Sequence, residues 1–237
     1  SIKTTVKAPR RKVELRVLLV DDDAMNLKIM SRLVQKVVKE INEENDVVQQ
    51  TDGSVLLPHL DLVIRTASTG LGAISAILRD ITANSNEDGE SFAPSLRFVH
   101  ENLTEDEVVS AMEKVLPHEA AEGLRLSSSG LLPGRREKID LTSITNEKTA
   151  KWSGANVIFT DVQMPGSIDG LMLTRLLRRI GTICPIYGTS ARGDKAFQYE
   201  CTKSGMDKLL VKPVAREDVK EILLSVVPPM ETSPAQQ

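Results

Sequence analysis

The chain has 237 residues, of which 41% are hydrophobic and 27% charged, a balance that lets a soluble globular protein bury a sizeable core. Its formal net charge of -3, from 30 Lys+Arg against 33 Asp+Glu, excludes a global field directed at nucleic acid or an anionic membrane, and 3% aromatics leave no base-stacking platform. Two cysteines cannot build a disulfide framework, no apolar run is long enough for a membrane span and no signal peptide is visible, so a soluble, cytoplasmic chain is expected.

Residues 1–13 are polar and basic, with Arg10-Arg11-Lys12 and one proline, and read as an incoming linker. A start at Ser1 rather than Met is what a piece excised from something longer would show. Glu14–Val20 is then a short run of Leu and Val, the pattern of a strand buried on both faces of a parallel sheet, and it ends on Asp21-Asp22-Asp23. From Ala24 the period becomes helical, with Leu27, Met30, Val34, Val37 and Ile41 on one face. Residues 42–59 carry turn chemistry and are expected to form a loop with room for a short hairpin. Leu60–Ala67 is the second strand candidate, and Leu71, Ile74, Ile77, Leu78 and Ile81 mark the helix after it.

The strand and helix pattern then lapses over residues 82–155. Thr104-Glu-Asp-Glu107 has the form of a capping box, which predicts one short helix through Val108, Met112 and Leu116, stopping before Pro117. His59, His100 and His118 fall in loops or in this insertion and read as solvated. Order returns with Val157-Ile-Phe-Thr-Asp161, an apolar strand that stops at an acid. A turn follows through Pro165, Gly166 and Asp169-Gly170, and then a helix through Leu173, Leu176, Leu177 and Ile180, closed by Gly181. Pro185–Gly188 is a short strand leading into Thr189-Ser190-Ala191, and a helix around 194–204 ends at Gly205. Lys208–Val211 is the fifth strand, followed by Lys212-Pro213, a last helix over 216–227 and a short tail. Cys184 and Cys201 lie in apolar segments and read as reduced core residues.

Five strand-then-helix units predict a doubly wound α/β fold, a five-stranded parallel sheet with helices on both faces. One domain is expected over 14–228, interrupted by insertions at about 42–59 and 82–155, with 229–237 as a tail. Both insertions interrupt helix-to-strand connections. Asp21, Asp22, Asp161, Ser190 and Lys212 all lie just after strands, at the other end of such a sheet, so the added length projects away from them.

Those strand-end residues define a chemistry. Clustered carboxylates repel and isolated buried charge is costly, so Asp21, Asp22 and Asp161 require a cation, and hard oxygen donors suit Mg²⁺. A metal ion there neutralises an incoming phosphoryl group, Lys212 supplies a point charge and the Ser190 hydroxyl a hydrogen bond. Asp161 is therefore the candidate phosphoryl acceptor.

The sequence resembles the receiver domain of two-component response regulators. The matching pieces are Val-Leu-Leu-Val-Asp21-Asp22, Asp161-Val-Gln-Met-Pro with Asp169-Gly170, Thr-Ser190-Ala, and Gly205-Met-Asp followed by Lys212-Pro213. The resemblance implies a flavodoxin-like sheet of order 2-1-3-4-5. It implies that Asp161 accepts phosphate from a phosphohistidine of a histidine kinase or histidine phosphotransfer protein. Mg²⁺ would be bound by Asp22, Asp161 and the main-chain carbonyl of Gln163, with Asp21 acting through a water, while Ser190 and Lys212 respond to the phosphate. Such a domain undergoes self-phosphorylation and autodephosphorylation rather than acting as a turnover enzyme. The string Asp22-Asp-Ala-Met-Asn26 is similar to receivers attached to hybrid histidine kinases. Three features depart from the family: Leu209 stands where an aromatic residue is usual, three before the lysine, the turn after Pro165 is one residue longer, and the insertions near the second strand are atypical. The alternatives are a haloacid-dehalogenase-type phosphatase, with Asp21 and Asp23 as its acids, and a pseudo-receiver that keeps the fold without the chemistry. Nothing after residue 228 has the pattern of a DNA-binding helix-turn-helix, and contact with nucleic acid or membrane is not expected.

Overall fold

The structure, a computed structural model, describes residues 12–51, 57–83, 110, 155–166, 168–179 and 182–227. Five strands, β1 (Lys12–Val20), β2 (His59–Ala67), β3 (Val157–Asp161), β4 (Ile186–Ser190) and β5 (Lys208–Val211), pair in parallel in the order β2-β1-β3-β4-β5. Between and after them run α1 (Ala24–Thr51), α2 (Gly70–Ala83), α3 (Gly170–Arg179), α4 (Lys195–Ser204) and α5 (Arg216–Ser225). The doubly wound parallel sheet is as expected, down to the strand order.

The alternation along each strand explains why helices cover both faces. Leu18, Val20, Ile158 and Ile186 face a core shared with Ile74 and Ile77 of α2, Leu173 and Leu176 of α3, and Phe197 and Cys201 of α4. Leu15, Val17, Leu19, Val157, Phe159 and Leu210 face the other core, with Val34, Val37 and Ile41 of α1 and Val219, Ile222 and Leu223 of α5. Phe159 stacks on Tyr187 within that second layer, ring centroids 5.6 Å apart. Both cysteines are buried and free, as expected.

The elements run longer than their apolar patterns. β1 begins at Lys12, because Lys12 and Val13 pair with His59 and Leu60 at the far end of β2. Residues 42–51, expected as the start of a loop, continue α1 instead. Two contacts account for this. On the face toward α5, Lys220 pairs with Glu40 at 3.1 Å and Glu44 at 2.7 Å, and Arg216 also pairs with Glu40. One turn along, the Asn42 amide donates to the Leu60 carbonyl at 3.1 Å and accepts from the Leu60 N–H at 2.9 Å, tying the helix to β2. The Asn-Glu-Glu-Asn stretch that looks like turn chemistry is a helical turn, with Glu43 and Glu44 exposed and Asn42 turned to β2. The capping-box helix at 104–116, apart from the helical Ser110, lies outside the described residues, as do His100, His118, Gly181 and the tail.

If Asn42 is the bracket that ties the extended helix to β2, Asn42→Leu leaves both main-chain groups of Leu60 without that partner. Chemical denaturation should then show a loss of about 1–3 kcal/mol.

Candidate functional site

The register of the sheet gathers the site. The last β1–β3 pair is Val20 with Thr160, so Asp21 and Asp161 leave neighbouring strands side by side. Asp161 pairs with Thr189 and Ser190 with Val211, which places Ser190 and Lys212 one step further along the same end. Main-chain bonds continue the ladder past the strands: the Asp21 N–H donates to the Ala67 carbonyl at 3.1 Å, and the Lys212 N–H to the Ser190 carbonyl at 2.8 Å. Four strand ends thus converge in the crevice where open α/β sheets build their sites.

At the centre is one ammonium. Lys212 Nζ donates to Asp161 Oδ1 at 2.5 Å and to Asp21 Oδ2 at 2.8 Å, bridging two buried carboxylates. The remaining oxygens are engaged from below and beside. Asp161 Oδ2 accepts the Gln163 N–H at 3.0 Å. Asp21 Oδ1 accepts the Asp23 N–H at 2.9 Å and the Asn26 side-chain amide at 3.1 Å. Gly170 opens α3 directly against this backbone, where a Cβ would stand 2.2 Å from the Asp161 carbonyl oxygen. That explains Gly at the end of the Asp169-Gly170 pair: any larger residue displaces either α3 or the acceptor strand.

Burial is the largest influence on Asp161 and raises its pKa; the hydrogen bond and charge of Lys212 oppose this, and the Asp21 charge adds to it. For Lys212, burial alone lowers the pKa, but the hydrogen bonds and charges of Asp161 and Asp21 together outweigh it and hold the ammonium above its ordinary range. The lysine therefore stays charged, and it limits how far Asp161 resists ionisation.

Other expected residues stand differently. Ser190 is buried, its Oγ accepting the Arg192 N–H at 3.1 Å and lying 3.5 Å from Gln163 Oε1. Asp22 and Gln163 are exposed at the rim. The expected set of three gathered acids is therefore a pair plus one: among the described residues, no three His, Cys, Asp or Glu side chains are grouped closely enough to enclose a metal. The donors nonetheless fit Mg²⁺ by charge and type, since three carboxylates exceed the single ammonium by two charges and all are hard oxygen ligands. Asp23 has another task. Its Oδ1 accepts the Met25 N–H at 2.7 Å at the start of α1, the bond of a helix cap.

Sequence reasoning assigned no role to Asn26. Its signals were the similarity of Asp22-Asp-Ala-Met-Asn26 to hybrid-kinase receivers and its position in the first turn of the helix that follows the acids, where a side chain can reach back to the strand end. Arg192, also without an expected role, folds onto the Phe197 ring at 4.3 Å and pairs with Asp194. The usual aromatic position before the lysine is taken by Leu209, which packs against the core below Gly188.

A doubly wound α/β domain with a lysine-bridged acid pair at the carboxyl ends of its strands is the class of protein this fold and site define. Residues 140–224 match the response regulator receiver domain model. The osmosensing histidine protein kinase SLN1 of Saccharomyces cerevisiae is 32% identical over 191 residues, which cover 78% of this chain and 14% of SLN1. The sensor histidine kinase RcsC of Escherichia coli is 35% identical over 68 residues, 29% of this chain and 7% of RcsC. The receiver domain of the sensor histidine kinase PA1611 of Pseudomonas aeruginosa is 14% identical with a TM-score of 0.45, the match covering 91% of this chain and 98% of that one. The chain carries a response regulator receiver domain, and it spans only a small part of the length of the histidine kinases it matches.

The raised pKa of Asp161 sets a sign for pH dependence. Below the ordinary carboxylate range Asp161 is protonated in the folded and unfolded states alike. As pH rises from that range through the higher folded value, the folded state keeps a proton that the unfolded chain has released, and stability falls. Asp161→Asn never ionises. Its Tm relative to wild type should increase as pH rises through that window, measured by thermal melts without Mg²⁺.

Proposed function

We propose that Asp161 accepts a phosphoryl group from a phosphohistidine of a histidine kinase or histidine phosphotransfer protein, with Mg²⁺ as cofactor. The observation that carries this reading is the Lys212 ammonium held between Asp161 and Asp21 at 2.5 and 2.8 Å. In the transfer, a carboxylate oxygen of Asp161 attacks phosphorus, the P–N bond to the donor imidazole breaks with its electron pair staying on nitrogen, and an acyl phosphate forms. Lys212 holds the carboxylate charged beforehand and then pairs with an oxygen of the transferred group as a point charge. The buried Ser190 hydroxyl can exchange its contact with Gln163 for a phosphoryl oxygen. Asp22, Asp161 and the Gln163 main-chain carbonyl are the groups that would hold Mg²⁺, with Asp21 acting through a water; when bound, the ion neutralises phosphoryl charge as it develops.

Incubation with Mg²⁺ and acetyl phosphate should give a single alkali-labile phosphoryl adduct by intact mass, dependent on Mg²⁺ and absent in Asp161→Asn. No adduct on the wild type, or an undiminished one on the variant, would sink the reading.

A further inference from the structure

We infer that Asn26 is a positioning residue for the metal-holding end of the site, acting through Asp21. This role rests on the reading of Asp21, Asp22 and Asp161 as the acids that hold Mg²⁺, and it adds to that set a neutral residue that touches no phosphate.

Asp21 is buried and has two oxygens with different duties. Oδ2 faces the shared ammonium of Lys212 at 2.8 Å, toward Asp161. Oδ1 is turned to the first turn of α1, where it accepts two hydrogen bonds: the Asp23 N–H at 2.9 Å and the Asn26 Nδ2–H at 3.1 Å. The Asp23 bond is a local one between main chain and side chain, with Asp23 itself held as the cap of α1. The Asn26 bond is the side-chain contact that fixes the carboxylate's rotation about its own bond against α1.

The amide identity matters for electrostatic reasons. A neutral donor satisfies an acceptor oxygen without cancelling the negative charge that a cation needs. A Lys or Arg at this place would bring a second positive charge beside Lys212, and an Asp or Glu would repel Asp21. Asn26 is half-buried and lines a cavity of about 400 Å³ with Asp21, Met30, Lys212 and Val214, so an apolar replacement has neighbours to pack against. Asp21, acting through a water, is itself an outer-shell partner of the ion; such partners typically contribute about 10-fold or more to metal affinity, and Asn26 supports that contribution by orienting Asp21.

The test is Mg²⁺ binding to the unphosphorylated protein, followed by calorimetric titration and by NMR. Asn26→Leu should keep its fold and lose about tenfold in Mg²⁺ affinity, whereas Asn26→Gln, which keeps the donor, should recover part of it. In the wild type, the side-chain amide signals of Asn26 should shift during the Mg²⁺ titration with the same midpoint as the Asp21 backbone signal. That measurement stands even if Asn26→Leu does not fold. Undiminished affinity in a folded Asn26→Leu, or unshifted Asn26 amide signals while the Asp21 signal moves, overturns the role of Asn26 and leaves the metal reading intact. Absence of Mg²⁺ binding by the wild type overturns the metal reading and this role with it.

Discussion

Two carboxylates and one ammonium, all largely withdrawn from water, form the contact on which the site depends. Asp21 and Asp161 are each buried, and the single Lys212 ammonium pairs with both. The arrangement requires three strands to end at the same level. β1 supplies Asp21, β3 supplies Asp161, and Lys212 leaves β5 at the sheet's edge, reaching back past β4 to meet both. A slip of one residue in any of these pairings would move a charged group to the opposite face of the sheet, where the apolar core could not accept it. The two cores, each filled by alternate residues of the same strands, therefore hold the register and the charge geometry together.

The close packing around the acceptor strand follows from the same requirement. Gly170 lets α3 begin against the Asp161 carbonyl, and its N–H donates to the Val162 carbonyl at 3.1 Å, so the chain after the acid is fixed within a few residues. Gly188 does the corresponding work on β4, where a Cβ would meet Met206 and Val162 at 2.6 and 2.8 Å. Thr189 and Ser190 can then run alongside β3. At the opposite end of the strands, Arg178 closes the corner between α3, α4 and β4 by donating to the carbonyls of Gly205, Thr182 and Cys184 and to the Asp207 carboxylate. These contacts leave little freedom to the backbone below the acids, which suits a site whose electrostatics depend on distances set by main chain.

The parallel sheet was legible because both signals it sends are local: short Val, Ile and Leu runs for strands buried on two faces, and acids, Ser or Lys immediately after them. Asp161, Asp21, Ser190 and Lys212 were visible for that reason. What could not be read was how three acids share space. Asp22 follows Asp21 in sequence, yet one is exposed and the other buried, because adjacent residues at a strand end point to different sides. Asn26 escaped a role because its contact runs from a helix back to a preceding strand, a geometry that depends on how α1 departs. The reading of 42–51 as loop failed for a related reason: Asn, Glu and Asp in series serve a turn and a solvated helical face equally well, and only α5 across the gap decides between them.

The length of α1 has a physical consequence for where the chain can accept additions. At about 1.5 Å per residue its 28 residues span roughly 42 Å, whereas the nine residues of β1 beneath it span about 30 Å. The helix begins at the acids, where Asp23 caps it and Asn26 grips Asp21, so the whole excess overhangs the opposite end of the sheet. A helix end that runs beyond the sheet has no core beneath it to hold it helical. The bridges from Lys220 and Arg216 to Glu40 and Glu44, and the Asn42 bracket on Leu60, anchor the helix over the last stretch that still lies above the sheet. They are exposed or half-exposed contacts, weak one by one and sensitive to salt, unlike the buried pair at the helix's other end. One helix thus carries two regimes of electrostatics, a dry one at the acids, where Asn26 meets Asp21, and a wet one where Glu40 and Glu44 meet α5.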